Sequence, residues 1–475
     1  MTQSTVRVLD PRDEMAIVAD LVRRGRAAMA SLAGASQARV DEAVTALAWS
    51  LYKPEHARDL AEQAVADTGL GKAADKITKN TRKTFGTLRD LLRAKTVGVI
   101  EEDPAKGLVI YGKPVGVVAA ICPSTNPSAT PINKAMMALK GANSVVIAPS
   151  PAGWSTSARA VELAREELEK IGLPADLVQV LPAPVTKGLT QALMEASDLV
   201  VCTGSQNNVR RAYSSGTPAI GVGAGNVPVI VDASADLADA AEKITASKIF
   251  DNATSCSSEN ALVILDPVYD QAIAALEQTG GYLATAEETR RIVETLWVDG
   301  KLNRKLIAKD AEILVEAFAL PEAAHGCKFI MAEETGVGPD NPLSGEKLSL
   351  VLTVYRAADF SAALAKVREI LNHQGAGHSC GIHTDQPEHA RRLAEELDVV
   401  RVLVNQAHTF GNGGGFNNGL GFTLSMGCGT WAGNSISENL GYHHFINRTH
   451  LVTTIPDDIP QEAELFGAYW SKYGR

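Results

Sequence analysis

The chain has no paired cysteines. Its six Cys stand singly, at 122, 202, 256, 327, 380 and 428, with no CxxC pair. In a chain of 475 residues that argues against a disulfide framework and against a zinc cluster. No His/Cys/Asp spacing reads as a ligand set either, so no metal is expected. Positive charge is in short supply: 45 Lys and Arg face 55 Asp and Glu, a net charge of −10. Without a basic stripe or interleaved aromatics there is no nucleic-acid footprint. No uninterrupted apolar run approaches membrane-spanning length. Met1-Thr2-Gln3-Ser4 opens directly into a charged segment, with no apolar leader. These absences point to a reducing, cytoplasmic setting without a membrane or nucleic-acid partner. Internal repeats and low-complexity linkers are missing as well.

What is present is a globular composition, 45% hydrophobic and 21% charged. The length exceeds one ordinary core, so two large domains are expected. Residues 11–94 read as consecutive helices: Met15, Val18, Leu21 and Val22 recur at helical spacing, as do Val40, Val44, Leu47 and Leu51. Gly34 and Gly69 punctuate them. Two strand-like runs around Asp103-Pro104-Ala105-Lys106-Gly107 predict a hairpin. A lone hairpin is marginal, so it must dock elsewhere, on another subunit among other places. His450 to Ile455 has a strand's composition and can pair with it.

From about residue 115 the rhythm becomes that of α/β. Unbroken apolar strands alternate with helices up to Leu199-Val200-Val201-Cys202, the mark of a parallel sheet covered on both faces. Ligands bind beyond the carboxyl ends of such strands. No G-x-G-x-x-G follows the first strand. Thr203-Gly204-Ser205 follows a strand and opens a helix, which suits a phosphate turn or an ordinary one. Gly221 to Asn226 reads better as a close backbone approach at a domain hinge than as a phosphate loop.

Cys256 lies between a helix-like run, Ala235–Phe250, and an apolar run, Ala261–Leu265. A thiol there is either buried as a small hydrophobe or presented to a cleft. Asn126 follows a strand, where an amide can donate to an oxyanion. Glu346 precedes another strand and can hold a sugar hydroxyl. Singly, the three read as core, turn and surface charge.

Together they resemble the aldehyde dehydrogenase superfamily, on its CoA-acylating branch. Residues 95–450 carry the resemblance. Its most specific stretches are 98–103, Ser124-Thr125-Asn126-Pro127, 218–226, the Cys256 segment, and Gly427-Cys428-Gly429-Thr430-Trp431 with Gly433-Asn434-Ser435.

The resemblance implies a Rossmann-type coenzyme domain over 1–238 with a β-hairpin oligomerisation arm at about 96–114. It implies an α/β catalytic domain over 239–430, and a segment, 431–475, returning to the first domain and the arm. Cys256 is then the nucleophile, forming a thiohemiacetal and then a thioester. Asn126 and the Cys256 backbone N–H form the oxyanion site. Ser124, Thr125, Ala148, Ser150, Gly204, Ser205, Gly223 and Glu346 hold NADP or NAD. CoA is the co-substrate, and a homodimer or homotetramer is implied.

Two departures sharpen this. Where hydrolytic members carry a general-base Glu, this chain has Gly221, so an acyl-enzyme must wait for a thiol. Where many members have Lys-Pro-Ser-Glu, this chain has Ala148-Pro149-Ser150-Pro151. Without that carboxylate a 2′-phosphate is not excluded, which leans toward NADP. His378 and His408 are placed near substrate or CoA, with a structural role for His378 as the alternative. His408, Arg401 and the loop amides are positions able to meet an anionic head group. Within the branch, the chain resembles acylating enzymes of sulfoacetaldehyde; acetaldehyde, propionaldehyde and succinate semialdehyde are alternatives. A catalytically silent scaffold is the reading from another class.

Overall fold

Four helices open the chain in a computed structural model that describes residues 10–475; the first nine residues of the expected coenzyme domain lie outside the described residues. They are α1 (Pro11–Met29), α2 (Gln37–Tyr52), α3 (Pro54–Thr68) and α4 (Ala73–Leu92). Asp10 and Ser36 cap the first two through their side chains, and Gly69, at φ 65°, ends the third. The buried face of α2 is the apolar stripe read from sequence. That of α4 is not apolar: Lys76, Lys79, Asn80, Thr84 and Thr87 all point inward. Buried polar groups need partners, so α4 must face something polar.

The hairpin follows, β1 (Gly98–Asp103) and β2 (Leu108–Pro114). Then comes the alternating block: β3 (Val117–Cys122), α5 (Ala129–Lys140), β4 (Ser144–Pro149), α6 (Trp154–Lys170), β5 (Val178–Val180), α7 (Lys187–Ala196), β6 (Leu199–Cys202), α8 (Gln206–Tyr213) and β7 (Ala219–Gly221). These strands form one parallel sheet in the order β5-β4-β3-β6-β7. Along β3, Val118, Ala120 and Cys122 enter one core while Val117, Ala119 and Ile121 enter another. That is the two-residue period of a strand covered on both faces.

The second sheet begins with β8 (Val227–Val231), α9 (Leu237–Ile249) and β9 (Glu259–Leu265). It continues through α10 (Tyr269–Gln278), β10 (Gly281–Leu283), α11 (Ala286–Leu296), the small pair β11 (Trp297–Val298) and β12 (Lys301–Leu302), and α12 (Ala311–Ala317). β13 (Phe329–Glu333), β14 (Val351–Ala357), α13 (Phe360–His373), β15 (Gly377–His383), α14 (Pro387–Glu396) and β16 (Val399–Val404) complete it. The order is β10-β13-β14-β9-β8-β15-β16. The strand at 227–231 therefore pairs in the second sheet, with β9 and β15, not in the first. The chain crosses between sheets through 222–226, ahead of the boundary expected at 238. An apolar run announces a strand but not which sheet it joins.

After a one-turn helix, α15 (His408–Gly411), and a glycine-rich stretch, the chain returns to the arm. β17 (Ile446–Val452) pairs antiparallel with β2 from Ile446↔Pro114 to Val452↔Leu108. The arm is thus a three-stranded sheet, β1-β2-β17, followed by α16 (Glu462–Tyr473). Among the described residues no helix is long and apolar enough to cross a membrane.

Candidate active site

A cleft of about 660 Å³ opens where the carboxyl ends of the first sheet meet the second unit. From beyond β3 it is lined by Ser124, Thr125 and Asn126, and from β4 by Ala148 and Ser150. The turn after β6 contributes Gly204 and Ser205, the sheet crossing Gly223, and the second unit Cys256 and Glu346. Ser205 caps α8, accepting from the Asn208 N–H at 3.4 Å. Lys187 and Arg211 line the same cleft.

Cys256 stands on a turn whose backbone is held out of its preferred conformation. Asp251, Asn252 and Ala253 take φ of 52°, 52° and 58°. Left-handed conformations cost a residue with a Cβ about 1–3 kcal/mol each and persist only where surroundings enforce them. α4 does the enforcing. Asp251 accepts from Lys79 Nζ at 2.6 Å, Lys76 Nζ at 2.9 Å and the Lys72 N–H at 2.9 Å. Its own N–H donates to Asp75, also on α4, at 2.8 Å. Asn252 donates to Asp310 at 2.8 Å. Burial pushes the Asp251 carboxyl up, but Lys79 and Lys76 outweigh it and hold it below the usual range.

The same lysines reach the Asn126 turn. Lys79 Nζ donates to Asn126 Oδ1 at 2.7 Å, and Lys76 Nζ to the Thr125 carbonyl at 3.0 Å. With its oxygen taken, the Asn126 amide has only its N–H groups to offer the cleft. The Cys256 backbone N–H donates to no protein group among the described residues. Two donors are thus available beside one thiol.

That thiol is pushed up to about 12, by burial first and then by Glu346 and Cys428, with Arg401 pulling the other way. Glu346 is raised to about 7 by burial, against Lys347 and Lys248. It stands beside Cys256: a Cβ on Gly225 would lie 2.5 Å from both the Cys256 carbonyl and Glu346 Oε1. The crossing loop is closed to larger residues elsewhere. A Cβ at Gly221 would meet Val209 at 2.6 Å, and one at Gly223 would meet Cys428 Sγ at 2.7 Å. The crossing is a close backbone approach, and Gly221, the last residue of β7, packs against Val209 and Tyr213 outside the cleft lining.

His378 and His408 are absent from the cleft lining, against the sequence expectation. Both are 1% exposed. His378 Nδ1 pairs with Ser379 Oγ at 2.7 Å, and His408 Nδ1 with the Ser257 carbonyl at 2.9 Å. Burial drives His378 well below its ordinary pKa and His408 to about 4, so both are neutral at pH 7. Arg401 donates to the His378 and Gly427 carbonyls at 2.8 and 2.9 Å and to Asn439 at 2.9 Å, while its Nε is buried without a partner. These residues brace the floor behind Cys256. Glu438, His443 and His444 bring three ligand-type atoms within 4.8 Å of one another, away from the cleft lining.

Lys76, Lys79 and Asp251 went unnoticed in sequence. The available signal was the polar stripe on α4, at the spacing where a packed helix normally carries apolar residues.

The sequence profile of the aldehyde dehydrogenase family matches residues 11–288. The chain is similar to a sulfoacetaldehyde dehydrogenase (acylating) of Cupriavidus necator, 54% identical over 459 residues, 96% of this chain and 93% of the relative. It is similar to another protein of that name from Bilophila wadsworthia, 42% identical over 97% of this chain and all of the relative. Among solved structures it superposes on an acetylating aldehyde dehydrogenase from Geobacillus thermoglucosidasius with a TM-score of 0.91 at 33% identity, covering 96% of this chain and 100% of the other. The chain belongs to the aldehyde dehydrogenase family, on its acylating branch.

Proposed function

We propose that this protein is a CoA-acylating sulfoacetaldehyde dehydrogenase: aldehyde, CoA and NAD(P)⁺ give acyl-CoA, NAD(P)H and a proton. The observation that carries the reading is a thiol, Cys256, in a cleft shared with Asn126, whose amide oxygen is taken by Lys79 and whose N–H groups are free, while Gly221 stands where a hydrolytic member would carry its general-base Glu. Close similarity to two proteins named for sulfoacetaldehyde supports the substrate.

Cys256 Sγ adds to the aldehyde carbon, and the carbonyl oxygen becomes an oxyanion held by Asn126 Nδ2 and the Cys256 N–H. One such donor is typically worth about 3–4 kcal/mol in the transition state. Ser124, Thr125, Ala148, Ser150, Gly204, Ser205, Gly223 and Glu346, all in the cleft lining, would hold the coenzyme, which would supply the hydride acceptor. Loss of hydride turns the thiohemiacetal into a thioester on Cys256. The CoA thiol attacks that thioester, Cys256 leaves as thiolate, and the oxidation is stored in a new thioester. With Gly221 in place of the general-base Glu of hydrolytic members, water lacks the roughly 10²–10⁴-fold help of that base.

NADP is the preferred coenzyme in this reading. Pro151 brings no carboxylate to the ribose, and Lys187 and Arg211 line the cleft. Cytoplasmic placement follows from single, unpaired cysteines. Assembly as a homodimer or homotetramer through the arm is supported by its surface: Leu451 and Val452 on β17, and Leu465, Phe466 and Tyr469 on α16, are all exposed. An assay with sulfoacetaldehyde, both coenzymes, and CoA present or absent tests the reading. CoA-dependent coenzyme reduction supports it; turnover indifferent to CoA points to a hydrolytic enzyme, and none with any aldehyde to a scaffold.

A further inference from the structure

The Cys256 thiol needs a base, and Gly221 stands where hydrolytic members carry one. A proton held at about 12 does not leave unaided near neutrality. Behind the nucleophile lies a second, small cavity. It measures about 10 Å³, room for one water molecule. Cys256, Ser258, Asn260, Glu346 and Lys248 are among the residues lining it. A space that small brings the groups around it next to the same water. Cys256 and Glu346 also line the open cleft, so the two spaces meet at the nucleophile.

A water fits there by chemistry as well as by size. Ser258 Oγ is buried with no hydrogen-bond partner among the described residues. Lys248, 1% exposed near the end of α9, donates to the Glu259 carbonyl at 2.9 Å, and its Nζ has no other partner among the described residues. The charged groups facing it are Glu259 on β9, and Glu346 and Lys347 from the stretch before β14. The Glu259 carboxylate is occupied by Ser247 and the His408 N–H, and Lys347 by the Leu343 and Gly345 carbonyls. Burial lowers Lys248 to about 7, against the pull of Glu259 and Glu346. Just above neutrality it is therefore mostly an amine with a free lone pair. A base titrating near the working pH is the kind that proton transfer favours.

We propose that Lys248 takes the proton of Cys256 through one water, held with Ser258 Oγ in the cavity they share. The inference rests on the acylating reading above, and it adds the proton's route. As Cys256 Sγ bonds to the aldehyde carbon, its S–H bond breaks. The proton passes to the water, and a proton of the water passes to the Lys248 amine. Hydride loss to the coenzyme then leaves a thioester with no further proton to move. The ammonium returns its proton through the same water to Glu346, which opens to the cleft, and so to solvent. That is the proton in the overall reaction. When CoA attacks, its thiol proton ends on the departing Cys256 sulfur.

The test measures the rate of the CoA-free burst of reduced coenzyme with sulfoacetaldehyde from pH 6 to pH 10. It compares the full-length wild type with Lys248→Met, Ser258→Ala and Glu346→Gln, each checked for fold by circular dichroism. The wild-type rate is expected to rise with a limb titrating near pH 7. Lys248→Met should lose about 10²-fold of the rate at pH 7.5 and lose that limb, gaining about tenfold per pH unit instead as thiolate forms unaided. Ser258→Ala should keep the limb at a rate lowered about tenfold. An unchanged limb in Lys248→Met overturns the proposal. So does a limb that vanishes only in Glu346→Gln, which makes that carboxylate the acceptor. If Lys248→Met fails to fold, Ser258→Ala decides, and an unchanged rate there overturns the proposal. A wild type that reduces coenzyme with no aldehyde sinks the acylating reading instead. Iodoacetamide labelling of Cys256 at pH 7.5, expected to be slower in Lys248→Met, then still reports whether Lys248 draws the thiol proton.

Discussion

Lys79 Nζ lies 2.7 Å from Asn126 Oδ1 and 2.6 Å from Asp251 Oδ2. One ammonium therefore joins the Asn126 amide to the strained turn that carries Cys256. The amide's orientation and the thiol's position are set by the same buried charge, on a helix that belongs to neither sheet.

For this reason Lys79→Met is expected to lower kcat about 10-fold to 100-fold, short of the roughly 10²–10³-fold expected for Asn126→Ala. Steady-state kinetics of the two variants and of the double mutant check it. Since Lys79 acts through Asn126, the double mutant loses little beyond Asn126→Ala. Full additivity would show that Lys79 acts elsewhere.

Cys256→Ala removes the nucleophile from a half-buried position and deletes only a sulfur. Coenzyme reduction should vanish while the circular dichroism spectrum and thermal midpoint stay close to wild type. Activity near wild type would remove Cys256 from the mechanism.

The free thiol should respond to pH as one pushed up to about 12. Thiolate is the reactive form and appears only as pH rises. Iodoacetamide labelling of Cys256, followed by peptide mass spectrometry without coenzyme, should keep accelerating about tenfold per pH unit from 8 to 10. A plateau by pH 9 would mean that the site lowers the thiol pKa.

Coenzyme choice is expected to depend on the uncharged corner at Ser150-Pro151. Pro151→Glu places a carboxylate against a 2′-phosphate and should raise KM for NADP⁺ about tenfold, with a smaller change for NAD⁺. Equal effects on both coenzymes would place the 2′-phosphate elsewhere.

Much of this fold was legible because its strands are buried on both faces and so read as unbroken apolar runs. Lys187–Ala196 and Leu199–Cys202 fall where the pattern put them. Cys256, Asn126 and Glu346 lie on connections between elements and singly read as core, turn and surface charge; the family resemblance joined them. The support behind them was not legible. Lys79 and Asp251 are separated by 172 residues, and an ion pair of that span leaves no local pattern. Strand β8 joined the other sheet because composition carries no pairing information. His378 and His408 looked like cleft groups because both lie in segments that the family resemblance places at the cleft. Packing instead turned them toward Ser379 and the Ser257 carbonyl.

The central claim is that Cys256 carries an acyl group which only a thiol removes. Rapid mixing of enzyme, NADP⁺ and sulfoacetaldehyde without CoA tests it most directly. The account predicts a burst of about one reduced coenzyme per active site followed by near silence, with turnover restored on adding CoA. Sustained coenzyme reduction at the CoA-dependent rate, with no CoA present, would contradict it.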